Sequence, residues 1–505
     1  MKTSKLLSQL LLLTVMMSPL RAEDESQATV RHLLLEVKAI PATAQEGEGA
    51  FAYNDYNRKR IVSLVRNNAL LLATDDEVTE LKEAGFAPTI LMESDDELTL
   101  YRRALYGPSL KPDPVYHTYD QITARAEELM RQRPDLMVRF QIGETTQFHR
   151  PIYAYRLSNA AAQVHDRPAI LFDGCHHADE VMGAEIVLSL MEKLVAGYGE
   201  DPLVTKWLDT LEIYLVPVVN VDGHTYVNSG HDPRWRKNAR DVNGDGIVGV
   251  FPEGVDVNRG YSFNWAMGGT NDPDGASFRG AHPFSEAENR AMQSLADQRQ
   301  LLMSISYHSQ GEVIYYPWIW GKMAAPDDKV IKRIATDVAA HITRMDGEGT
   351  YAVSPGGPSS QSYPWFYGRR GVLDMIIETG KGSHLFPPED VPGIIAENLK
   401  GITAFIAHAD GPGLSVRVTD AVTGEPLHAQ VWLPRIDNES VDRRFSDAQF
   451  GRARRLLDPG EYYLVVSCEG YETEVHPALE VGVEGWTVLE IKLQPSTISR
   501  KISAR

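Results

Sequence analysis

Cysteine is nearly absent: Cys175 and Cys468 are the only two in 505 residues. They fall in what read as separate domains, so a disulfide scaffold is excluded and stability must come from packing. Cys175 reads as a buried, inert thiol. Beyond the N-terminus no stretch has the length and apolarity of a membrane span. Neither His-Glu-x-x-His nor Gly-x-Ser-x-Gly occurs, which removes the usual sequence support for one large class of zinc proteases and for a serine hydrolase. Positive charge is scarce, with 50 Lys and Arg against 69 Asp and Glu and a net charge of −19. That balance argues against a nucleic-acid partner or an anionic membrane surface. No internal repeat or low-complexity tract stands out.

What is present begins with a leader. Met1 to Lys5 is followed by an apolar run from Leu6 to Met17 and then Pro19-Leu20-Arg21-Ala22. This reads as a signal peptide over 1–22 and an exported protein, periplasmic or secreted. The remaining length exceeds one ordinary core, so two or three domains are expected. Residues 23–105 read as a small α/β domain or prosegment, with Thr74-Asp75-Asp76-Glu77 as a capping box opening a helix that Gly85 ends. The prolines of 106–114 mark a linker. Over 115–410, helical patterns such as Tyr119 to Arg131 and Val181 to Leu194 alternate with near-continuous apolar strands at Ala169 to Asp173 and Leu211 to Val219. Such strands belong in a sheet covered on both faces. Short alternating strands over 411–496 read as a small β-sandwich, followed by a tail at 497–505.

The chemistry lies in scattered residues. His177 and Glu180 follow a predicted strand, His308 follows an apolar run, and Glu378 ends Met375-Ile376-Ile377-Glu378. Two imidazoles and a carboxylate make a three-ligand catalytic zinc set with a fourth position open for water, and a further carboxylate can serve as base. In order along the chain come His177-Ala178-Asp179-Glu180, Pro217 to Gly223, Arg234-Trp235-Arg236-Lys237, Gly254 to Arg259, Ser285-Glu286, His308-Ser309-Gln310 with Tyr316-Pro317, and Ile377-Glu378-Thr379-Gly380. This succession resembles the zinc carboxypeptidase family over roughly 116–410. The resemblance implies a mixed central sheet flanked by helices, Zn2+ held by His177, Glu180 and His308, and Glu378 as general base. It further implies Arg236 at the oxyanion, and Asn258 and Arg259 holding the terminal carboxylate of a peptide or protein substrate. A tyrosine closing over the substrate is expected before Glu378, and Tyr351 is the candidate. Asp179 departs from the family, where many members carry arginine. The segments Val418 to Leu427, Pro459-Gly460 and Gly470-Tyr471 resemble a transthyretin-like sandwich.

Substrate preference is open at this stage. On a strand ending at Glu378, Asp374 shares the face of Ile376 and Glu378; there it would favour Lys or Arg, unless it is exposed or salt-bridged. Ile319 and Pro358-Ser359-Ser360 point to a neutral pocket, and a hydrophobic or mixed preference is the expectation. Asp241, Asn243 and Asp245 have the alternation of a calcium loop, although position 12 is Pro252 and Glu253 falls one beyond; an Asx-rich turn is the alternative. The reading that emerges is an exported, monomeric zinc metallocarboxypeptidase. Its rivals are an amidase for cell-wall peptides and a peptide-binding protein that kept the fold without catalysis.

Overall fold

The computed structural model describes residues 32–38, 61–65, 68–83, 86–94 and 112–496, apart from 231, 245, 247, 249–252, 321–322 and 358. The leader, most of the linker, Gly85 and the tail therefore lie outside the described residues. Two compact units divide the chain, one of residues 1–111 with 229–233 and one of residues 112–228 with 234–505. In the first, β1 (His32–Lys38), β2 (Ile61–Val65), β3 (Asn68–Thr74) and β4 (Thr89–Ser94) form an antiparallel sheet in the order β2-β3-β1-β4. Helix α1 (Asp75–Glu83) starts at the predicted box: Thr74 Oγ1 accepts the Glu77 amide at 3.4 Å and Glu77 Oε2 accepts the Thr74 amide at 2.8 Å. Both are amides that a helix start leaves without partners.

The second unit opens with α2 (Tyr119–Gln132), capped reciprocally by Thr118 and Gln121. It continues through β5 (Met137–Glu144), β6 (Pro151–Leu157), β7 (Ala169–Gly174), α3 (Met182–Gly197), α4 (Pro202–Thr210), β8 (Glu212–Val216) and α5 (Val221–Ser229). Next come α6 (Ala287–Gln298), β9 (Met303–His308), β10 (Val313–Tyr316) and the short pair β11 (Ile319–Trp320) and β12 (Met323–Ala324). Then follow α7 (Asp328–Ala340), β13 (Ala352–Pro355), α8 (Ser362–Arg370), β14 (Leu373–Glu378) and α9 (Val391–Ala407).

Eight of these strands make one sheet in the order β13-β10-β14-β9-β7-β8-β6-β5. Its centre, β14-β9-β7-β8, is parallel, while β10 against β14 and β6 against both β8 and β5 are antiparallel. It is the mixed sheet the sequence implies. Every residue of β7, β8 and β9 is buried, which is why β7 and β8 read as near-continuous apolar runs. Helix α3 packs on β7 and β9, and α8 on β14. One expected strand is shorter than predicted. The run from Leu211 to Val219 is strand only over Glu212–Val216, because Pro217 has no amide to extend the ladder. The chain then turns, and the Val219 and Asn220 amides donate to the Gly174 and Cys175 carbonyls at 3.1 and 3.0 Å, mooring the exit of β7.

Toward the C-terminus, β15 (Gly413–Asp420), β16 (Gln430–Trp432), β17 (Arg452–Leu456), β18 (Gly460–Ser467), β19 (Glu474–Val481) and β20 (Trp486–Leu493) form two three-stranded sheets, β17-β15-β20 and β16-β18-β19. Leu414, Val416, Val418, Val431, Leu464 and Val466 build a core of their own between them. Their seam with the larger sheet is charged. Asp327, just before α7, accepts from Arg444 and Arg455, and Asp166 accepts from Arg452 and Arg454.

Candidate active site

Strand β7 ends at Gly174, where a Cβ would lie 2.7 Å from the Gly183 carbonyl carbon. Glycine there lets the first turn of α3 close against the strand end, and His177 and Glu180 occupy the turn between. His308 and Glu378 are the last residues of the adjacent parallel strands β9 and β14, where they are direct register partners. All four side chains thus meet at the carboxyl edge of the sheet, where open α/β folds gather ligands.

His177, Glu180 and His308 are buried to within 4%. Glu180 Oε1 lies 2.7 Å from His177 Nδ1, Oε2 lies 2.8 Å from His308 Nδ1, and the two Nδ1 atoms are 3.1 Å apart. Burial opposes the Glu180 charge, yet the His177 and His308 rings hold its carboxyl well below the usual range. Burial likewise pushes His308 down to about 4, toward the neutral ring that offers a lone pair. Nitrogen donors this close repel unless a proton or a cation lies among them. With two imidazoles and one carboxylate, the donor set fits a catalytic zinc site. Among the described residues these three are the one group of His, Cys, Asp and Glu close enough to share an ion.

Asp256 is a buried neighbour of this cage that sequence reasoning did not single out. Its Oδ1 lies 3.2 Å from His177 Nε2 and accepts the Asn258 amide at 3.0 Å, while Oδ2 accepts Arg236 Nε at 3.2 Å. A carboxylate behind a ligating histidine fixes its ring and tautomer. The only signal was its place two residues before Asn258. Arg236 also donates from Nη1 to Glu180 Oε1 at 3.1 Å, so it reaches the ligand cage directly.

A cleft of about 340 Å³ opens over this edge, lined by the three metal-site residues with Arg236, Asn258, Arg259, Tyr315, Gln361, Glu378 and His384. Asn258 is buried, with Nδ2 3.3 Å from His308 Nε2 and Oδ1 accepting the Ser362 amide at 2.9 Å. Burial and the nearby Glu180 carboxylate push Glu378 up to about 8, against the pull of His177, Arg236 and Arg259. Tyr315 and His384 were not anticipated, though pairing of Tyr315 with Ile376 puts it on the face of Glu378.

Other expectations fall elsewhere. Tyr351 does not reach the cleft: it is 5% exposed within the core, and its hydroxyl accepts the Gly380 amide at 3.0 Å. It therefore steadies the turn after Glu378 and does not cover the substrate space. The Asp241 loop is an Asx-rich turn, in which the carboxylate accepts the Gly244 and Gly246 amides at 2.7 and 2.8 Å. Both Asp241 oxygens are thereby engaged, Asn243 lies in the same turn, Asp245 is outside the described residues, and calcium finds no support. Ile319 is 45% exposed and absent from the cleft lining. Asp374 is neither exposed nor salt-bridged but fully buried.

A convergent ligand cage with a carboxylate beside it, at the carboxyl edge of a mixed α/β sheet, defines a metal-dependent hydrolase. The chain belongs to the zinc carboxypeptidase family, whose sequence model matches residues 122–401, more than half its length. Among its relatives, rat carboxypeptidase A1 is 30% identical over 302 residues, covering 58% of this chain and 70% of the relative. Mouse carboxypeptidase A4 is 27% identical over 303 residues, with the same coverage. Among solved structures, bovine thrombin-activatable fibrinolysis inhibitor in complex with tick carboxypeptidase inhibitor matches with a TM-score of 0.51 at 23% identity, covering 58% of this chain and 97% of that one. The carboxypeptidase A of Helicoverpa armigera matches with a TM-score of 0.51 at 18% identity, covering 76% and 98%. These structures share the fold. The protein is accordingly a zinc metallocarboxypeptidase, a hydrolase acting at peptide C-termini. Among the described residues no helix is long and apolar enough to cross a membrane.

Proposed function

We propose that the protein is an exported, monomeric carboxypeptidase that removes one residue at a time from free peptide C-termini, with Glu378 as general base. The observation that carries the reading is the pairing of Glu378 with His308 on adjacent strands, at the mouth of a cleft that also contains Arg236 and Arg259. Arg259 presents a planar fork that matches a carboxylate, with Asn258 beside it, so the cleft measures from the chain end. Glu378 takes a proton from the attacking water and delivers it to the leaving amine. Arg236 donates to the carbonyl oxygen as it gains charge, a kind of contact worth about 3 kcal/mol. Zinc bound by His177, Glu180 and His308 would polarise the carbonyl and lower the pKa of water to about 7. The leader at 1–22 supports export. The N-terminal unit fits a separate domain or prosegment, and residues 411–496 fit a β-sandwich with a structural or adhesive role.

The test is mass spectrometry of free and C-terminally amidated peptides incubated with zinc-loaded protein. Stepwise loss of terminal residues from the free peptides alone is expected. Glu378→Gln should lower turnover by about 10²–10⁴ with zinc content unchanged; full activity in that variant would remove Glu378 from the mechanism, and equal cleavage of amides would remove the chain-end reading.

A further inference from the structure

The charged seam between the C-terminal sheets and the larger sheet encloses a cavity of about 50 Å³, apart from the catalytic cleft. Four of its lining side chains are the arginines Arg370, Arg444, Arg454 and Arg455, and none is acidic. Aliphatic side chains such as Val416 of β15 and Val431 of β16 supply much of the remaining wall. Guanidiniums are always charged, and like charges around one space repel. Carboxylates hold them from outside the lining. Asp327 accepts from Arg444 Nη2 and from Arg455, Asp437 faces Arg455 Nη1 at 2.8 Å, Asp166 accepts from Arg454 Nη2, and Asp297 pairs with Arg370. Arg455 is thereby fully engaged, and the other three are not. Nε of Arg370 and Nε of Arg444 are buried without a hydrogen-bond partner, and Arg454 donates from Nη2 alone. Arg370 lies over the Trp365 ring at 5.0 Å and Arg444 over the Tyr367 ring at 5.4 Å. A guanidinium stacked on a ring keeps its in-plane donors for another partner. Gly371 makes room for one of them, since a Cβ there would lie 3.3 Å from Arg444 Nε.

Buried donors without acceptors are rare, and each calls for a reason. We propose that this cavity is a binding site for one small tetrahedral oxyanion, of the phosphate or sulfate kind, which bridges Arg370 at the end of α8 to Arg444 and Arg454 of the C-terminal segment. Size limits the ligand. One water takes about 10–15 Å³ of such space, so roughly three to five waters fit, or one five-atom oxyanion; a nucleotide or a peptide does not. Chemistry limits it as well. Arginine N–H groups match the oxygens of an oxyanion in pairs, a cation would be repelled, and a neutral ligand would leave the charge uncompensated. The field at the site favours an anion: burial lowers the proton affinity of Arg454, and Arg452 and Arg299 add repulsion that Asp166 does not fully offset. Arg444 is held in place through its backbone, whose carbonyl accepts the Val431 amide at 2.9 Å. The anion thus ties α8, and with it the start of β14, to the C-terminal sheets as a removable staple.

The plain alternative is that Arg370 only caps α8. That role is already filled, because the Gly371 amide donates to the Tyr367 carbonyl at 3.0 Å and the Val372 amide to the Phe366 carbonyl at 3.1 Å. The probes are sodium sulfate, phosphate and acetate, each compared with sodium chloride at equal ionic strength, with zinc-loaded full-length protein at pH 7. Sulfate or phosphate at about 10 mM should raise the calorimetric unfolding midpoint by about 3 °C or more over chloride, and acetate by less than about 1 °C. Titration calorimetry should read one sulfate per chain with Kd below about 1 mM. Arg370→Met, which gives up only one ion pair with a half-exposed Asp297, should weaken that binding about 10-fold, the loss of one charge-assisted contact, with the chloride midpoint unchanged. Ala453→Leu places bulk in the cavity lining and should remove the sulfate shift by a second route. The catalytic cleft has arginines of its own, so Arg259→Met is the control, and the sulfate shift should survive in it. A shift that persists in both Arg370→Met and Ala453→Leu would be a general salt effect and would overturn the proposal. So would a shift lost in Arg259→Met, which assigns the anion to the cleft, or acetate as effective as sulfate, which removes the tetrahedral preference.

Discussion

Replacing Asp327 with alanine tests whether the charged seam holds the C-terminal sheets to the rest of their unit. Asp327 Oδ1 accepts Arg455 Nε at 3.1 Å and Nη2 at 2.8 Å, and Oδ2 accepts Arg444 Nη2 at 2.6 Å and Tyr367 Oη at 2.9 Å. Burial disfavours its charge, yet the two guanidiniums hold its carboxyl below the usual range. Truncation leaves Arg444 without this acceptor and Arg455 with Asp437 alone, at 2.8 Å. Removing one partner of a buried ion pair costs about 3–5 kcal/mol, because the other charge stays buried. Asp327→Ala should therefore lose about that much in urea unfolding followed by tryptophan fluorescence. Adding Arg455→Met should cost less than the sum of the two single changes, since partners in one network are not additive. The pH dependence has a defined sign. A carboxyl held below its unfolded value contributes stability above that value, near 3.9, and loses it as pH falls through the folded one. The gap between wild type and variant should stay constant from pH 7 to pH 5 and shrink in stronger acid. A loss below about 1 kcal/mol, or strict additivity, would refute the reasoning.

Glu288 carries the opposite sign. Burial, and then Glu286, push it from 4.5 up to about 7, so its contribution is complete below 4.5 and is lost as pH rises through 7, about 3 kcal/mol in all at 1.36 kcal/mol per unit. Glu288→Gln should flatten the decline in denaturant midpoint between pH 5 and pH 8; an unchanged slope would assign the decline to other groups. Removing zinc with a chelator should lower the calorimetric midpoint, since a ligand at about 1,000 times its Kd contributes about 4 kcal/mol. His308→Ala should abolish that zinc-dependent shift, and a shift that survived would place the metal elsewhere.

The sheet and the ligand cage were legible in the sequence for one physical reason. Central parallel strands are largely apolar, so the polar residues that close β9 and β14, His308 and Glu378, stand out at the ends of those strands. His177 and Glu180 were legible because they are neighbours in one turn. What escaped depends on distant partners. Asp256 meets His177 from 79 residues away, and Asp327 meets Arg455 from 128 away, so no local pattern marks either. Tyr351 was misjudged from its spacing to Gly356-Gly357, whereas its burial is decided by packing around β14. The alternation of β14 put Asp374 on the face of Glu378, but did not show that its carboxylate would be fully enclosed.

Because Glu378 and His308 are register partners, the distance between base and metal ligand is set by backbone hydrogen bonds between two buried strands. The ladder continues past them, with the Thr379 amide donating to the His308 carbonyl at 2.8 Å. No loop fluctuation can move one residue without the other. Amide exchange over 304–308 and 374–378 should thus require global opening, so fraying elsewhere in the chain leaves the spacing of base and ligand unchanged until the sheet itself unfolds.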